Sequence, residues 1–356
     1  MNLKQVVKKS INMAETSYFH RAQKLKALGV LAQLETNSSR KLSKHVRSTC
    51  DSYAVEVLGD ITYANWLYVY SHVSDGFKEG WIPANYFSIY VVSKLKGLHG
   101  EVSGLRSLNR LVLDSDSFPD IGSYINGLFF DEHGSLVPES KISSLLFRDR
   151  SMLIFKKDES EQGDGVHFFT STDFQVGKIR LLGNGVFQSI VTPHPDLAKF
   201  SSQALSTLRI TTVSTDDAEI QIRACDMKVG GVGTTHVLPS SFVRIPVDIK
   251  TGRFMPPAYR LDWSIASQSD YGGESFADQS FPFFSDACDV VSKLHQKVPY
   301  VRCIGWDVAI DDNGQVKVLE WNGFHNDIKF GEATQGPCFA DLGWEKIWRK
   351  RQELVL

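Results

Sequence analysis

Apolar and polar positions alternate most regularly near the end of the chain, over residues 301–322. Two segments there read as β-strands, VRCIGWDVAI (301–310) and QVKVLEWN (315–322), and the polar run DDNG (311–314) between them reads as a turn. An Asn-Gly pair between two such runs is a strong signal for two antiparallel strands joined by a tight loop. The pattern therefore predicts a β-hairpin over residues 301–322.

The pairing of this hairpin decides which side chains share a face of the sheet. A two-residue loop at residues 313–314 places Asp307 opposite Glu320, with Asn322 on the same face. A four-residue loop moves the register by two and keeps the three polar side chains together, because side chains alternate between the faces with a period of two. The other face is then predicted to be apolar, interrupted only by Lys317, with these core residues: Ile304, Trp306, Val308, Ile310, Leu319 and Trp321.

The polar face predicts a metal site. Two facing carboxylates repel each other unless a cation lies between them or one of them is protonated. Carboxylate and amide oxygens suit Mg²⁺ or Mn²⁺, and Mg²⁺ completes its shell with phosphate oxygens and water. Gly305, opposite Asn322, leaves space for a phosphate. We therefore expect Asp307, Glu320 and Asn322 to be metal ligands, and Asp307→Asn or Glu320→Gln to abolish turnover while leaving the fold intact. The alternative is an ordinary solvated face of an antiparallel hairpin.

A second candidate site lies in residues 152–169. An apolar strand there ends at Lys156 and Lys157, a polar loop containing Gly163 and Gly165 follows, and a second apolar strand begins. A glycine-containing loop can donate backbone N–H groups to phosphates, and a lysine at a strand edge supplies a point charge. The alternative is a hairpin with a long polar loop and a lysine whose charged end reaches water.

The remaining pattern indicates an α+β protein. Residues 1–100 are predicted to be mainly helical, short strands and turns are predicted from about residue 105, and an amphipathic helix is predicted at 283–298. The tail, 339–351, is predicted to be a helix with a core stripe of tryptophans and one isoleucine: Trp344, Ile347 and Trp348.

Composition excludes several classes of protein. The 356 residues are 42% hydrophobic and 22% charged, which is ordinary for a soluble globular protein. A net charge of −2 gives no general argument for nucleic-acid binding. The chain contains no apolar run of about 20 residues and no signal-peptide pattern, so no transmembrane segment is expected. Five cysteines without a C-x-x-C pair suit a reducing, cytoplasmic location.

The basic charge is concentrated at the N-terminus. The first 47 residues hold ten Lys/Arg and only two acidic residues, Glu15 and Glu35, in a segment with helical spacing of apolar residues. A basic amphipathic helix can bind an anionic membrane surface or another partner. The alternative is a helix that packs its apolar stripe on its own protein while its lysines face water.

Four segments, taken in order, resemble the ATP-grasp superfamily, most closely the sugar-transfer-associated ATP-grasp proteins. They are NWLYVYSHVSDGFKEGWIP (65–83), MLIFKKDESEQGDGV (152–166), SSQALSTLRITT (201–212) and RCIGWDVAIDDNGQVKVLEWNG (302–323). The resemblance covers most of residues 60–330. It implies the ATP-grasp fold, in which two α+β lobes clasp ATP, here after a helical N-terminal region. The N-lobe would be residues 101–185 with the phosphate-covering loop, and the C-lobe residues 186–356 with the metal-binding hairpin and a C-terminal helix.

The resemblance also implies roles for individual residues. Asp307, Glu320 and Asn322 would hold one or two Mg²⁺ ions that bridge the β- and γ-phosphates of ATP. Lys156 would contact the α- and β-phosphates, and loop 158–165, with Gly163 and Gly165, would close over them. Arg106 stands where the family has a nucleotide-contacting lysine. The adenine hinge would be formed by Gln188, Ile190 and the backbone through Val191.

The acceptor side departs from the family pattern. Arg209 would lie near the transferred phosphate or a substrate carboxylate. Lys157, directly after the nucleotide-binding Lys156, replaces a proline. On the acceptor side, Lys228 stands where an arginine is expected and His236 where an asparagine is expected. These differences limit what the resemblance implies about the substrate. His325, Asn326 and Asp327, which follow the hairpin, are further candidates for contact with phosphate or substrate.

The function implied is an ATP- and Mg²⁺-dependent carboxylate–amine ligase, acting through an acylphosphate in polysaccharide, sugar-conjugate or small-molecule biosynthesis. Its substrates would be ATP, a small carboxylate and an amine. In polysaccharide or sugar-conjugate biosynthesis, the carboxylate or the amine would be a sugar derivative. Three alternatives stay open: a kinase for a small-molecule hydroxyl, a degenerate nucleotide-binding scaffold, and a glycosidase using Asp307 and Glu320. The complete Asp/Glu/Asn set and Lys156 argue against degeneration, and Asn322 beside Gly305 favours a metal over glycoside hydrolysis.

Overall fold

The computed structural model describes residues 3–160, 165–201, 205–230 and 242–349, with side chains from Glu15 onward. The chain divides into two compact units. One contains Met1–Lys94, Asp262–Ser264 and Asp327–Leu356, and the other contains Leu95–Leu261 and Ile265–Asn326. No helix among the described residues is both long and apolar enough to cross a bilayer.

The first unit is helical, as predicted for the N-terminal region. The α-helices among the described residues of both units are α1 (Leu3–Ser38), α2 (Lys44–Glu56), α3 (Ala64–Val73), α4 (Ala84–Tyr86), α5 (Ser93–Leu95), α6 (Gly97–Glu101), α7 (Asn109–Leu113), α8 (Glu139–Leu146), α9 (Val176–Leu182), α10 (Pro195–Ala198), α11 (Gln268–Tyr271), α12 (Phe284–Lys297) and α13 (Lys329–Thr334). A π-helical segment, Phe87–Val92, joins α4 to α5. Helix α2 begins where the Ser43 hydroxyl accepts the Val46 N–H, so one unpaired donor of its first turn is satisfied.

The helix predicted for the tail is wrong over its described part. Two short 3₁₀ segments, Ala340–Leu342 and Trp344–Lys346, stand there, separated by Gly343 at φ +65°. That backbone conformation interrupts a helix and favours glycine. The tryptophans nevertheless pack as predicted: Trp344 is buried, and the indole N–H of Trp348 donates to the Val57 carbonyl at 2.7 Å.

The second unit contains two antiparallel sheets, which confirms the α+β class. The strands are β1 (Asp120–Ile125), β2 (Leu128–Asp131), β3 (Leu136–Val137), β4 (Met152–Lys157), β5 (Val166–Thr170), β6 (Gly185–Ser189), β7 (Thr207–Ser214), β8 (Ile220–Gly230), β9 (Phe242–Val247), β10 (Cys303–Ile310) and β11 (Val316–Asn322). Their orders are β3-β2-β1-β6-β4-β5 and β11-β10-β7-β8-β9. Strand β6 lies between β1 and β4, so the first sheet extends beyond the boundary expected at residue 185.

Each sheet has one apolar face and one polar face. In the six-stranded sheet, Phe155 and Phe187 pack with Ile142 of α8 and Ile179 of α9. In the five-stranded sheet, the apolar face packs against α12, whose buried positions include Val291 and Leu294. Because side chains alternate along a strand, the residues between these core positions lie on the opposite faces.

The turn of the β10–β11 hairpin differs from both predicted loops. Asp311 N–H donates to the Gln315 carbonyl at 2.9 Å, and Gly314, at φ +76°, donates to the Asp311 carbonyl at 3.0 Å. These bonds close a three-residue loop whose last residue is a left-handed glycine, a common hairpin form. The pairing nearest the turn is therefore Ile310 with Val316.

A β-bulge then restores the predicted register. The pairing shifts between Asp307 and Val308, because Leu319 is an extra residue on β11 without a partner across the pair. The prediction that Leu319 lies in the core is wrong, since Val318 takes that position and is fully buried. For the same reason Lys317 does not interrupt the apolar face; its ammonium lies 3.7 Å from the Asp311 carboxylate.

Candidate active site

The two hairpin carboxylates lie opposite each other. Asp307 pairs with Glu320 and Gly305 with Asn322, so the predicted register is confirmed. Arg209 holds Asp307 through two hydrogen bonds of 2.7 Å, from Nε to Oδ1 and from Nη2 to Oδ2, and Lys228 Nζ adds a third at 3.0 Å. Two cations thus pair with the charge of Asp307.

Charge pairing sets the protonation of this cluster. Burial by itself raises the pKa of Asp307, but Arg209 and Lys228 outweigh it and hold the pKa well below its usual range. Burial by itself lowers the pKa of Arg209, but the ion pair and hydrogen bonds with Asp307 outweigh burial. The pKa of Arg209 therefore lies above its usual value. Burial, with the nearby Arg209, lowers the pKa of Lys228. Asp307 is thus ionised at neutral pH, the form that a metal ligand requires.

The charged row continues across the sheet. Arg209 on β7 pairs with Asp226 on β8, and the Arg244 guanidinium on β9 donates twice to the Asp226 carboxylate, both at 2.8 Å. Sequence reasoning missed Asp226 and Arg244. The signal for Asp226 was its spacing of two residues from Lys228, which places both on the face that carries Arg209.

Lys156 approaches the hairpin from the polar face of the six-stranded sheet. Its ammonium donates to the carbonyl of Leu319 at 3.2 Å, the residue that the bulge leaves unpaired. Burial lowers the pKa of Lys156, and the carboxylates of Glu320 and Asp120 oppose this effect. The bulge therefore both restores the register and presents a carbonyl to the predicted phosphate-binding lysine.

Arg106 joins the hairpin to the predicted phosphate-covering loop. Its Nη2 donates to Glu320 at 2.8 Å and to the Ser160 carbonyl at 2.7 Å, and its Nη1 donates to the Lys157 carbonyl at 3.0 Å. Asp158 is held nearby by the backbone N–H and the hydroxyl of Ser107, at 2.9 and 2.7 Å. The start of the loop is thus bound to the α6–α7 segment.

Gly165, at the end of the phosphate-covering loop, packs closely against Ser160. A Cβ on Gly165 would lie 2.1 Å from the Ser160 hydroxyl, so the close approach of Ser160 requires glycine there. Gly163 lies outside the described residues, as does His236.

Gln188 is buried and bound to another side chain. Its amide donates to the Asp120 carboxylate at 2.7 Å, and burial raises the pKa of Asp120 to about 6. Asp120 was also missed by sequence reasoning. Ile190 is 43% exposed, beside an open cleft with this lining: Asp149, Arg150, Ser151, Met152 and Ser189. The Gln188 side chain is therefore paired with Asp120 within the sheet.

Space beside Gly305 is filled rather than open. A Cβ there would lie 2.9 Å from Cβ of Asn326 and 3.2 Å from Nη1 of Arg209. Asn326 is 1% exposed and accepts a hydrogen bond of 2.6 Å from the buried Lys96, whose pKa burial lowers to about 8. Glycine at 305 therefore permits close packing of Asn326 and Arg209, and the expected gap for a phosphate is not there.

The oxygen atoms of Asp307, Glu320 and Asn322 suit a cation that takes most of its coordination shell from phosphate and water. Asn322 donates its amide N–H to the Gly305 carbonyl at 3.1 Å, which turns its own carbonyl oxygen away from that bond. Glu320 receives Arg106 on Oε1, and a carboxylate has about four lone-pair sites in total. Within the described parts of the chain no group of three or more His, Cys, Asp or Glu is arranged to hold a metal. The predicted set contains two carboxylates and one amide, a number that suits Mg²⁺ with phosphate ligands.

Comparison with known proteins confirms the predicted resemblance. Residues 163–338 match the family model described as sugar-transfer associated ATP-grasp. The comparison with curated proteins finds no similar sequence.

Several solved structures are similar at low identity. The ATP-grasp ligase PsnB, complexed with a phosphomimetic variant of a minimal precursor, Mg and ADP, is 12% identical, with a TM-score of 0.40 over 71% of this chain and 61% of that chain. The N5-carboxyaminoimidazole synthetase of Staphylococcus aureus, complexed with ADP, is 12% identical, with a TM-score of 0.40 over 69% and 52% of the two chains. The biotin carboxylase domain of the Hydrogenobacter thermophilus 2-oxoglutarate carboxylase, with MgADP, ADP and bicarbonate, is 12% identical, with a TM-score of 0.41 over 69% and 45%. The chain thus spans about half of the length of these proteins.

Proposed function

We propose that this chain, in which residues 163–338 match the sugar-transfer-associated ATP-grasp family, is an ATP- and Mg²⁺-dependent ligase that joins a carboxylate to an amine. One observation carries the proposal. Basic side chains from both sheets and from the α6–α7 segment converge on a single hairpin. Arg209 and Lys228 bind the Asp307 carboxylate, and Arg106 binds the Glu320 carboxylate. Lys156 binds the backbone carbonyl of Leu319, next to Glu320.

The basic side chains of this cluster support a polyanionic ligand. Five of them, Arg106, Lys156, Arg209, Lys228 and Arg244, lie together with the carboxylates of Asp226, Asp307 and Glu320, and with those of Asp120 and Asp158 at the edge of the cluster. Hydrogen bonds from guanidinium and ammonium groups to phosphate oxygens are among the strong ones. A nucleoside triphosphate with its divalent ion therefore suits this group of side chains better than a neutral sugar does.

The individual roles follow from position. Asp307, Glu320 and the carbonyl oxygen of Asn322 would hold Mg²⁺, which supplies neutralisation of the phosphate charge when bound. Lys156, at the edge of the hairpin, would bind the phosphates. Arg209 and Lys228 would orient the transferred phosphoryl group and the acceptor, and the backbone around Ile190 would bind adenine.

The reaction requires no protein nucleophile. A carboxylate oxygen of the substrate attacks the γ-phosphorus of ATP, the bond to the β-phosphate oxygen breaks, and ADP leaves. The amine nitrogen then attacks the acyl carbon of the acylphosphate, phosphate leaves, and the amine loses a proton. Preorganised cations stabilise the charge on the transferred group in the first step. The positioning of both reactants supplies the remaining rate enhancement.

The first test is thermal stability with ATP, ADP and GTP, each with and without Mg²⁺. We expect a Mg²⁺-dependent rise in Tm with ATP that is reduced in Glu320→Gln, because a ligand that binds only the native state stabilises it. Asp312→Asn, an exposed carboxylate in the same hairpin turn, is the matched control and should keep the rise. An absent rise with every nucleotide would exclude an active ATP site.

The second test separates ligase from kinase. ADP release that requires both a carboxylate and an amine, with a hydroxamate formed when hydroxylamine replaces the amine, supports the ligase. ADP release with a hydroxyl compound alone would replace it by a kinase. A sugar-derived acceptor, in polysaccharide or sugar-conjugate synthesis, belongs to the same proposal and is tested by including uronic acids and amino sugars among the substrates.

A further inference from the structure

Helix α1 exposes an apolar stripe on the side opposite to the one it packs. Its inner side is buried through Ala27, Leu31 and Leu34. On the outer side Tyr18 is 76% exposed and Leu25 is 64% exposed. We call the following residues the outer stripe, since helical spacing places them on one face: Tyr18, Ala22, Leu25, Gly29 and Ala32.

None of the residues that the structure describes covers the outer stripe. Ala22 and Ala32 are exposed, and a Cβ placed on Gly29 would have no neighbouring atom within 4 Å. A helix whose inner side already packs on its own protein has no structural need for a second apolar face. Exposed apolar surface of this kind, arranged in a stripe, indicates an interaction surface.

Basic residues accompany the stripe. Arg21 and Lys24 are exposed, and neither forms a salt bridge with any residue that the structure describes. By contrast, Arg40 pairs with Asp75 and Arg47 pairs with Glu35. Over its full sequence α1 carries six Lys/Arg, at positions 4, 8, 9, 21, 24 and 26, and two acidic residues, at 15 and 35.

The basic residues beside the outer stripe favour one kind of binding partner over others. A second copy of α1 would bring the same basic residues together, and like charges across a helix pair destabilise it. A nucleic acid would use the basic residues but not the aliphatic Leu25. A bilayer surface containing anionic phospholipid uses both, because apolar side chains enter the interface while Lys and Arg meet the headgroups.

We propose that α1 binds the surface of an anionic phospholipid bilayer, lying in its plane with the outer stripe inserted. Tyr18 suits this position, since its ring has an apolar body and a polar end that stay at the boundary between lipid and water. The described part of α1 from Glu15 to Ser38 is about 36 Å long, at about 1.5 Å per residue. Surface binding needs no spanning segment, and it is independent of the ATP site.

The test is sedimentation of the full chain with vesicles of phosphatidylcholine containing roughly 30% phosphatidylglycerol, at about 0.1 M salt, and with pure phosphatidylcholine vesicles. We expect binding to the anionic vesicles only. The double variant Arg21→Glu/Lys24→Glu should bind at least about 25-fold more weakly, since each basic residue near such a surface strengthens binding by a factor of about five.

A matched control separates this helix from general charge attraction. Lys141→Glu/Lys250→Glu changes the net charge equally at exposed positions of the other unit and should bind like the unchanged protein. Tyr18→Ser/Leu25→Ser keeps the charges, and its binding should fall most at high salt, where the apolar contribution dominates. Circular dichroism of each variant would verify that the helices are retained.

Three results would overturn the proposal. The first is no binding of the unchanged protein to anionic vesicles, and the second is an equal loss in both charge-reversal variants. The third is evidence that another partner binds the outer stripe. This would be a dimer, seen in sedimentation velocity, that Leu25→Ser dissociates, or stronger binding of the chain to duplex DNA than to anionic vesicles.

Discussion

Nη2 of Arg106 lies 2.8 Å from Oε1 of Glu320 and 2.7 Å from the Ser160 carbonyl oxygen. One guanidinium group therefore connects a candidate metal ligand to the start of the loop expected to cover the phosphates. A lysine, which the resemblance leads one to expect at this position, would supply a charge but not a planar group with several donors.

Arg106→Lys should weaken MgATP binding about tenfold, because a lysine cannot contact Glu320 and the loop carbonyls together. Isothermal titration with MgATP measures this. Arg148→Lys, an exposed arginine in the same lobe, is the control and should bind MgATP normally. Equal affinity of Arg106→Lys and the unchanged protein would show that the loop attachment does not contribute to nucleotide binding.

Asp307→Asn should cost stability as well as activity. The sequence alone suggests that removing one of two facing carboxylates relieves repulsion, but the structure shows Asp307 holding two cations, Arg209 and Lys228, whose side chains are only 11% and 17% exposed. Breaking a buried ion pair by removing one partner costs about 3–5 kcal/mol.

Glu320→Gln should be milder, since Glu320 is more exposed than Asp307 and contacts one arginine. Urea unfolding of both variants, with Asp312→Asn as control, measures the difference. A free energy of unfolding equally reduced in Asp307→Asn and Glu320→Gln would contradict this account of the charge pairing.

Gly305→Ala should disturb the site without changing any charge. The added methyl group would lie 2.9 Å from Asn326 Cβ and 3.2 Å from Arg209 Nη1, closer than ordinary packing allows. Overpacking of this kind costs about 1–3 kcal/mol. Gly177→Ala, where the methyl group would meet no atom within 4 Å, is the matched control and should not lower Tm. An unchanged Tm in Gly305→Ala would mean that the hairpin adjusts at little cost.

Acid should destabilise the fold through His295. Its ring Nε2 bonds to the Val301 carbonyl at 2.9 Å, so Nε2 carries the proton and Nδ1 accepts from the Thr212 hydroxyl at 2.7 Å. Burial lowers the pKa of His295 to about 4. In the unfolded chain the pKa of a histidine is near 6.5, so the unfolded state binds a proton at a higher pH than the folded state does. The contribution of neutral His295 to the free energy of unfolding is therefore fully present above about pH 6.5 and is lost as the pH falls toward 4.

The loss attributable to His295 is at most about 3 kcal/mol. Urea unfolding at a series of pH values, on the unchanged protein and on His295→Gln, isolates it, because glutamine does not titrate. If the free energy of unfolding changes with pH in the same way in both proteins, His295 is not a cause of the acid sensitivity.

Local patterns predicted the elements of the site well. The period-two alternation over residues 301–322 predicted the hairpin, and the placement of Asp307 opposite Glu320 is confirmed. The tail was mispredicted because the tryptophan spacing fits a helix, whereas Gly343 adopts a left-handed conformation between two short turns. The partners of the carboxylates had no local signal, since Arg106 and Glu320 are separated by 214 residues.

The sequence by itself determined which side chains lie on the polar face of the hairpin, because alternation is a property of any extended strand. The tertiary structure decided the length of the turn, the bulge at Leu319 and the cations that meet Asp307 and Glu320. Val318 on the edge strand donates its N–H to the Ser117 carbonyl at 2.8 Å, outside the sheet, and Leu319 offers its carbonyl to Lys156. A bulge and a counter-ion depend on which distant segments supply hydrogen-bonding groups, and only the folded chain brings those segments together.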